Sequence, residues 1–334
     1  MAVHRWGEFG EVAVRMMGQV KPGENLLVLA DTWTNMEIAE ACLIAGINAK
    51  ANAQLLVIAR MSHTDTRELS APTVGAIAGA DLVIGVCETM FVEKASTRQA
   101  CANGTRIVSV MPRGQEDFVI EGILDVDYAQ MIDVAEKICK LWERTDICHV
   151  TSPLGTDISF RLKGRPALVG DGMATEPGQV GFIPGGSVGI APVEETINGT
   201  IVIDGCIEPG SKLVSAPITC RLKKGVVTAI EGGADASAWR SDMESVDDPK
   251  AFHVCHFTLG LNPRAKASDS MHQCEHVLGA VTFGLGDQAP SFKGTVGAAK
   301  IHADVVLLSP TVYLDGVVMC ENNKLNLDLG LGGL

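Results

Sequence analysis

Leu26-Leu27-Val28-Leu29-Ala30 is a short apolar run that ends at Asp31, as a strand buried in a parallel sheet would. Working outward, the pattern predicts a helix from about Asn35 to Ala45, with Gly46 as its stop. Ala53-Gln54-Leu55-Leu56-Val57-Ile58 reads as the next strand. A helix near Pro72–Gly79 then leads into Asp81-Leu82-Val83-Ile84-Gly85-Val86. Another helix precedes the strand Arg106-Ile107-Val108-Ser109-Val110, and a long helix runs from Tyr128 to Arg144. Strand and helix alternate throughout, which defines a doubly wound α/β domain over residues 1–145.

From Thr145 the texture changes to short β-rich runs punctuated by Gly, Pro and Asn. Ile201–Gly205, Ile218–Leu222 and, after a Lys224-Gly225 turn, Val226–Ile230 are examples. This spacing predicts a β-rich α+β second domain over residues 146–334, built on an antiparallel or barrel-like sheet.

Composition bounds the partners. The chain has 334 residues, 46% of them hydrophobic, and a net charge of −13, which argues against nucleic acid or an anionic membrane. No apolar run approaches the ~18 residues of a spanning helix. Ten cysteines stand singly with no CxxC, and Met1–Glu8 lacks the apolar core of a secretory leader. The expectation is a cytoplasmic chain with reduced, mostly buried thiols.

The first domain invites a dinucleotide, but Asp31 is followed by Thr32-Trp33-Thr34-Asn35 and not by G-x-G-x-x-G. Without those glycines the backbone cannot approach a pyrophosphate, so the domain reads as a scaffold. Ser187 lies in Gly185-Gly186-Ser187-Val188-Gly189, which has the letters of the G-x-S-x-G nucleophile elbow but falls in the β-rich half and not at a strand-to-helix turn, so a serine hydrolase is not expected. Glu194 and Glu195 are adjacent and would diverge on a strand, so they read as a solvated pair.

Lys300-Ile301-His302-Ala303-Asp304 carries the chemistry. On a strand, alternate side chains share a face, so His302 and Asp304 point the same way. One imidazole from another strand would complete two histidines and a carboxylate, the ligand set of mononuclear non-haem Fe(II) oxygenases. His256, in His253-Val254-Cys255-His256-Phe257, is the candidate. A lone strand histidine is ordinarily a hydrogen-bonded core residue. A second histidine and an aspartate elsewhere in the same domain shift the reading to a metal. The same ligand types could hold zinc. His272-Gln273-Cys274-Glu275-His276 is a rival cluster: if helical, its histidines share a face, although the segment has no strong helix signal and a strand is expected to resume at Val277.

From about Gly155 to Gly316 the chain resembles the aminopeptidase T/S group of metalloaminopeptidases and, within that superfamily, the iron enzymes of the 2,5-dihydroxypyridine 5,6-dioxygenase family. Phe182-Ile183-Pro184-Gly185-Gly186-Ser187-Val188-Gly189-Ile190-Ala191-Pro192 is similar to the aminopeptidase stretch I-P-x-G-E-V-F-T-A-P, and His302-Ala303-Asp304 matches the H-x-D of both branches. Three of the five ligands expected of a dinuclear aminopeptidase are replaced here, by Ser187, His256 and Thr282. What remains, His256, His302 and Asp304, is the dioxygenase triad. Glu176-Pro177-Gly178 and Gly260-Leu261-Asn262-Pro263 are also shared. The pocket histidines of that family have no counterpart in Glu88–Phe91 or Gln179–Phe182, which leaves the ring it acts on open.

The resemblance therefore implies a mononuclear Fe(II) ring-cleaving dioxygenase acting on a hydroxylated (hetero)aromatic such as 2,5-dihydroxypyridine. The metal ligands would be His256, His302 and Asp304, with Glu176, Ser187 and Thr282 as catalytic candidates and Phe182 as a ring to stack on the substrate. The partners would be a small-molecule substrate, dioxygen and further copies of the chain. The alternative is an aminopeptidase-like metal-dependent hydrolase using Zn or another divalent ion. A non-catalytic relative that serves assembly would hold no metal.

Overall fold

The computed structural model describes residues 5–61, 65 and 67–334, and its contacts form two compact units. One comprises Met1–Val126 with Gly170–Gly185, the other Asp127–Val169 with Gly186–Leu334. The change of texture near Thr145 falls at the first antiparallel strand, Ile147–Thr151. The preceding helix Tyr128–Arg144 belongs to the second unit, and Val180–Phe182 belongs to the parallel sheet of the first.

In the first unit Asn25–Asp31 pairs in parallel with Asn52–Ile58 on one side and Leu82–Gly85 on the other. Arg106–Ser109 and Val180–Phe182 extend the sheet in the same sense. Leu26–Ala30 is buried throughout, which is why the run carries no polar alternation. Helices Met36–Asn48, Ala71–Ala78 and Ala95–Ala102 provide the crossovers, and the doubly wound α/β reading holds. Asp31, at the carboxyl end of its strand, accepts the Trp33 N–H and both the N–H and the hydroxyl of Thr89, each at 2.9 Å. That end of the strand is thus closed by a carboxylate that braces two loops.

The helix that follows Asn25–Asp31 corrects one expectation. It does not stop at Gly46 but runs to Asn48, capped at its start by the Asn35 side chain, which accepts the Glu37 N–H. Gly46 is an interior residue whose β-carbon would fall 2.2 Å from Leu26 Cδ2. It is glycine because helix and strand approach closely there.

The second unit contains an eight-stranded and a seven-stranded sheet whose neighbouring strands are largely antiparallel. Phe160 of the larger sheet meets Phe257 and Phe283 of the smaller one, with ring centroids 5.0 and 6.0 Å apart. Trp142, from the helix Tyr128–Arg144, joins them 5.3 Å from Phe257. These rings are fully buried and form an aromatic core on one face of the smaller sheet. Glu194, expected to be solvated, is buried and paired with Arg165. All ten cysteines are free thiols and nine are buried. Among the described residues no helix is long and apolar enough to cross a membrane.

Candidate metal centre

Three neighbouring strands of the seven-stranded sheet build the site: Val254–Gly260, Val281–Gly286 and His302–Leu307. The register aligns Phe257 with Phe283 and Val305, and these point into the aromatic core. The adjacent row, His256, Gly284 and Asp304, must face the other way. His302 pairs with Gly286 on that same face. One sheet thus has a core side and a chemical side.

The middle strand makes the convergence possible. A β-carbon on Gly284 would lie 2.2 Å from His256 Nε2, so the imidazole lies across the space that a side chain would fill. With the central strand bare, side chains from the two flanking strands meet above it. His256 Nε2 is 3.2 Å from His302 Nε2 and 3.2 Å from Asp304 Oδ1, and His302 Nε2 is 3.4 Å from Asp304 Oδ2. Bonds of ~2.1 Å to one cation place its ligands roughly 3.0 Å apart at right angles and about 3.4 Å apart at tetrahedral angles. The three separations fit that range. Asp304 Oδ1 is buried with no hydrogen-bond donor, and a buried carboxylate oxygen left in that way is what a cation would satisfy.

The surroundings orient each ligand. His302 Nδ1 lies 2.7 Å from the Asp287 carbonyl, so that nitrogen carries a proton and Nε2 is the atom turned toward His256 and Asp304. Phe292 stacks on His256 with centroids 5.2 Å apart and planes at 15°. The His302 side chain is 29% exposed against 8% for His256 and 10% for Asp304, so the approach from solvent lies on the His302 side.

Electrostatics follow from burial and mutual charge. Burial alone would disfavour the charged form of His302, but Asp304 overcomes it and holds the imidazole well above its usual range. Burial likewise pushes Asp304 up, and His302 and His256 outweigh it, so the carboxyl stays ionised far below the ordinary range. Glu208 donates its main-chain N–H to the Asp304 carbonyl and accepts the Asp304 N–H at 3.4 Å. Burial and the Asp304 charge push Glu208 up to about 8. Glu275 is raised to about 7, by burial first and by Asp304 among its neighbours. Two carboxyls near Asp304 therefore hold protons close to neutral pH.

Of the other residues singled out in the sequence, Thr282 lies on the site face two residues before Gly284, fully buried, its hydroxyl without a hydrogen bond. Ser187 pairs with Gly260, on the same face at the end of the sheet strand. Glu176 lies in the first unit, exposed, at a turn closed by Gln179. Phe182 ends a strand of that unit and is 39% exposed. His272 and His276 do share a helical turn, Met271–Glu275 with His276 as its cap, and the strand resumes only at Val281. Gly284, Gly286, Glu208 and Phe292 are additions from the structure. The G-x-G inside an apolar strand was the available signal for the first two.

Known proteins resemble this chain over most of its length. The family model NicX, described as 2,5-dihydroxypyridine 5,6-dioxygenase, matches residues 12–326. A 2,5-dihydroxypyridine 5,6-dioxygenase of Pseudomonas putida is 30% identical over 252 residues, covering 72% of this chain and 69% of that protein. The solved structure of a 2,5-dihydroxypyridine dioxygenase from Pseudomonas putida KT2440 superposes with a TM-score of 0.79 at 21% identity, covering 97% of both chains. Wild-type AmpT from Thermus thermophilus follows with a TM-score of 0.69 at 15% identity, covering 96% of this chain and 99% of its own. At those identities the two structures speak for the fold.

Proposed function

The chain belongs to the NicX family of 2,5-dihydroxypyridine 5,6-dioxygenases, and we propose that it opens a hydroxylated pyridine or related ring on one divalent iron held by His256, His302 and Asp304. Membership makes it a ring-cleaving dioxygenase that acts with dioxygen on a small molecule. The observation that carries the ligand assignment is the meeting of three donors at 3.2, 3.2 and 3.4 Å above a glycine. Iron(II) held there would supply redox chemistry toward dioxygen.

The chain's own groups do the rest. Asp304 provides the one fixed negative charge among the ligands, and the Asp287 carbonyl locks the His302 tautomer that presents Nε2. Phe292 holds His256 in plane and keeps water from that side of the ring. Burial and the Asp304 charge raise the Glu208 carboxyl, so it would be the proton-holding group beside that ligand. Thr282 has a hydroxyl to spare on the site face, and with Ser187 it would orient the bound ring. Self-association belongs to the same proposal, supported by the exposed apolar residues Ile147 and Val317 on the eight-stranded sheet.

The test is anaerobic purification with metal analysis, then oxygen consumption with 2,5-dihydroxypyridine and other hydroxylated rings. Iron-dependent oxygen uptake that Zn(II) does not support is expected. Asp304→Ala should lose the uptake together with one equivalent of metal. Metal content unchanged in that variant, or uptake untouched in His302→Ala, would overturn the ligand assignment.

A further inference from the structure

We propose that His272, Glu275 and His276 form a second cation site, selective for a divalent ion of the zinc class. The site shares no residue with the triad and goes beyond the dioxygenase reading.

The local sequence His272-Gln273-Cys274-Glu275-His276 folds as a single helical turn, Met271–Glu275, with His276 as its cap. Ser270 fixes the start of that turn: its hydroxyl accepts the Gln273 N–H and its carbonyl accepts the Cys274 N–H. Positions i and i+4 stand one above the other on a helix, so the two imidazoles must be neighbours. Their ring centroids are 4.7 Å apart. Glu275 Oε1 lies 3.6 Å from Nδ1 of each histidine, and one potential ligand atom from each of the three residues lies within 4.8 Å of the others; a cation held by His276 Nε2 would draw the carboxylate toward that side of the ring.

The histidines are prepared as ligands. His276 Nδ1 sits 2.6 Å from the His272 carbonyl, so it donates its proton there and leaves Nε2 with a bare lone pair. A backbone carbonyl on one ring nitrogen is the usual device for aiming the other at a metal. His272 and His276 are 7% and 5% exposed, so these are not surface imidazoles awaiting a stray ion. The turn is also pressed onto the sheet. A β-carbon at Gly260 would lie 2.3 Å from the Val277 carbonyl and 2.7 Å from that of Glu275. The spacing H-x-x-E-H itself is one by which a helical turn can hold zinc through two imidazoles. Two imidazoles and a carboxylate favour zinc, cobalt or iron over magnesium or calcium, which prefer all-oxygen sites.

The experiment uses the full chain, stripped of metal and titrated anaerobically with Co(II) or Zn(II). The wild-type chain should take up two equivalents. His276→Ala and Asp304→Ala should each take up one, and the double variant none. Glu275→Gln should weaken the second equivalent at least tenfold while leaving the fold intact. One equivalent in the wild-type chain that His276→Ala keeps, or two in His276→Ala, would overturn the site. If His276→Ala does not fold, the wild-type stoichiometry and Glu275→Gln decide the matter. Loss of the other equivalent only in Asp304→Ala tests the triad separately, so the two readings cannot fail for the same reason.

Discussion

At Gly284 an added methyl group would strike His256 Nε2 itself, since the two would stand 2.2 Å apart. Gly284→Ala should therefore fold but push the imidazole off the centre. We expect at least a tenfold loss of iron affinity, measured by competition with a chelator, and ~1.4 kcal/mol corresponds to that tenfold. An unchanged affinity would mean that His256 is not a ligand. Glu194 offers a test of the charge network behind the sheet. Burial pushes its carboxyl up, but the Thr295 N–H at 2.6 Å and the Arg165 guanidinium outweigh this and hold it below the usual range. A carboxyl lowered in the folded state adds stability above its ordinary pKa and loses it as pH falls through the lowered value. Urea unfolding should thus weaken below about pH 4.5, and Glu194→Gln should flatten that dependence while costing about 1–3 kcal/mol at neutral pH. The residues that alternation on a strand could reveal, His302 and Asp304, were legible in the sequence. Gly284 and the Glu194–Arg165 pair were not, because both depend on register and partners remote in the chain.

Among the elements, segment 287–300 does most to hold the ligands in place. It places the Asp287 carbonyl on His302, Phe292 on His256 and the Gln288 amide on the Cys255 carbonyl at 2.6 Å. It is tied down in turn by Lys250, whose Nζ donates to the carbonyls of Val296 and Ala298 at 2.9 and 3.1 Å. Lys250→Met should release the segment without opening the sheet. The expected result is metal dissociation several-fold faster in a chelator-capture experiment, with global stability changed by less than about 1 kcal/mol. Equal dissociation rates would show that the segment needs no such tie. Irregular segments of this kind carry no periodicity and escape a sequence reading. So did the turn Met271–Glu275, since five residues are too few for a 3.6-residue pattern and its start depends on the Ser270 cap.

For the molecule as a whole, the parallel sheet was readable because a strand buried on both faces has no polar positions to obscure it. The division of the β-rich half into sheets of eight and seven strands was not, since many short strands of similar texture leave their pairing undetermined. One consequence lies in the two-sided strands Val254–Gly260 and Val281–Gly286. Phe257 and Phe283 secure folding from beneath, while the residues beside them on the upper surface are free to be exchanged. Inheritance can therefore rewrite the reagent set without renegotiating the foundation.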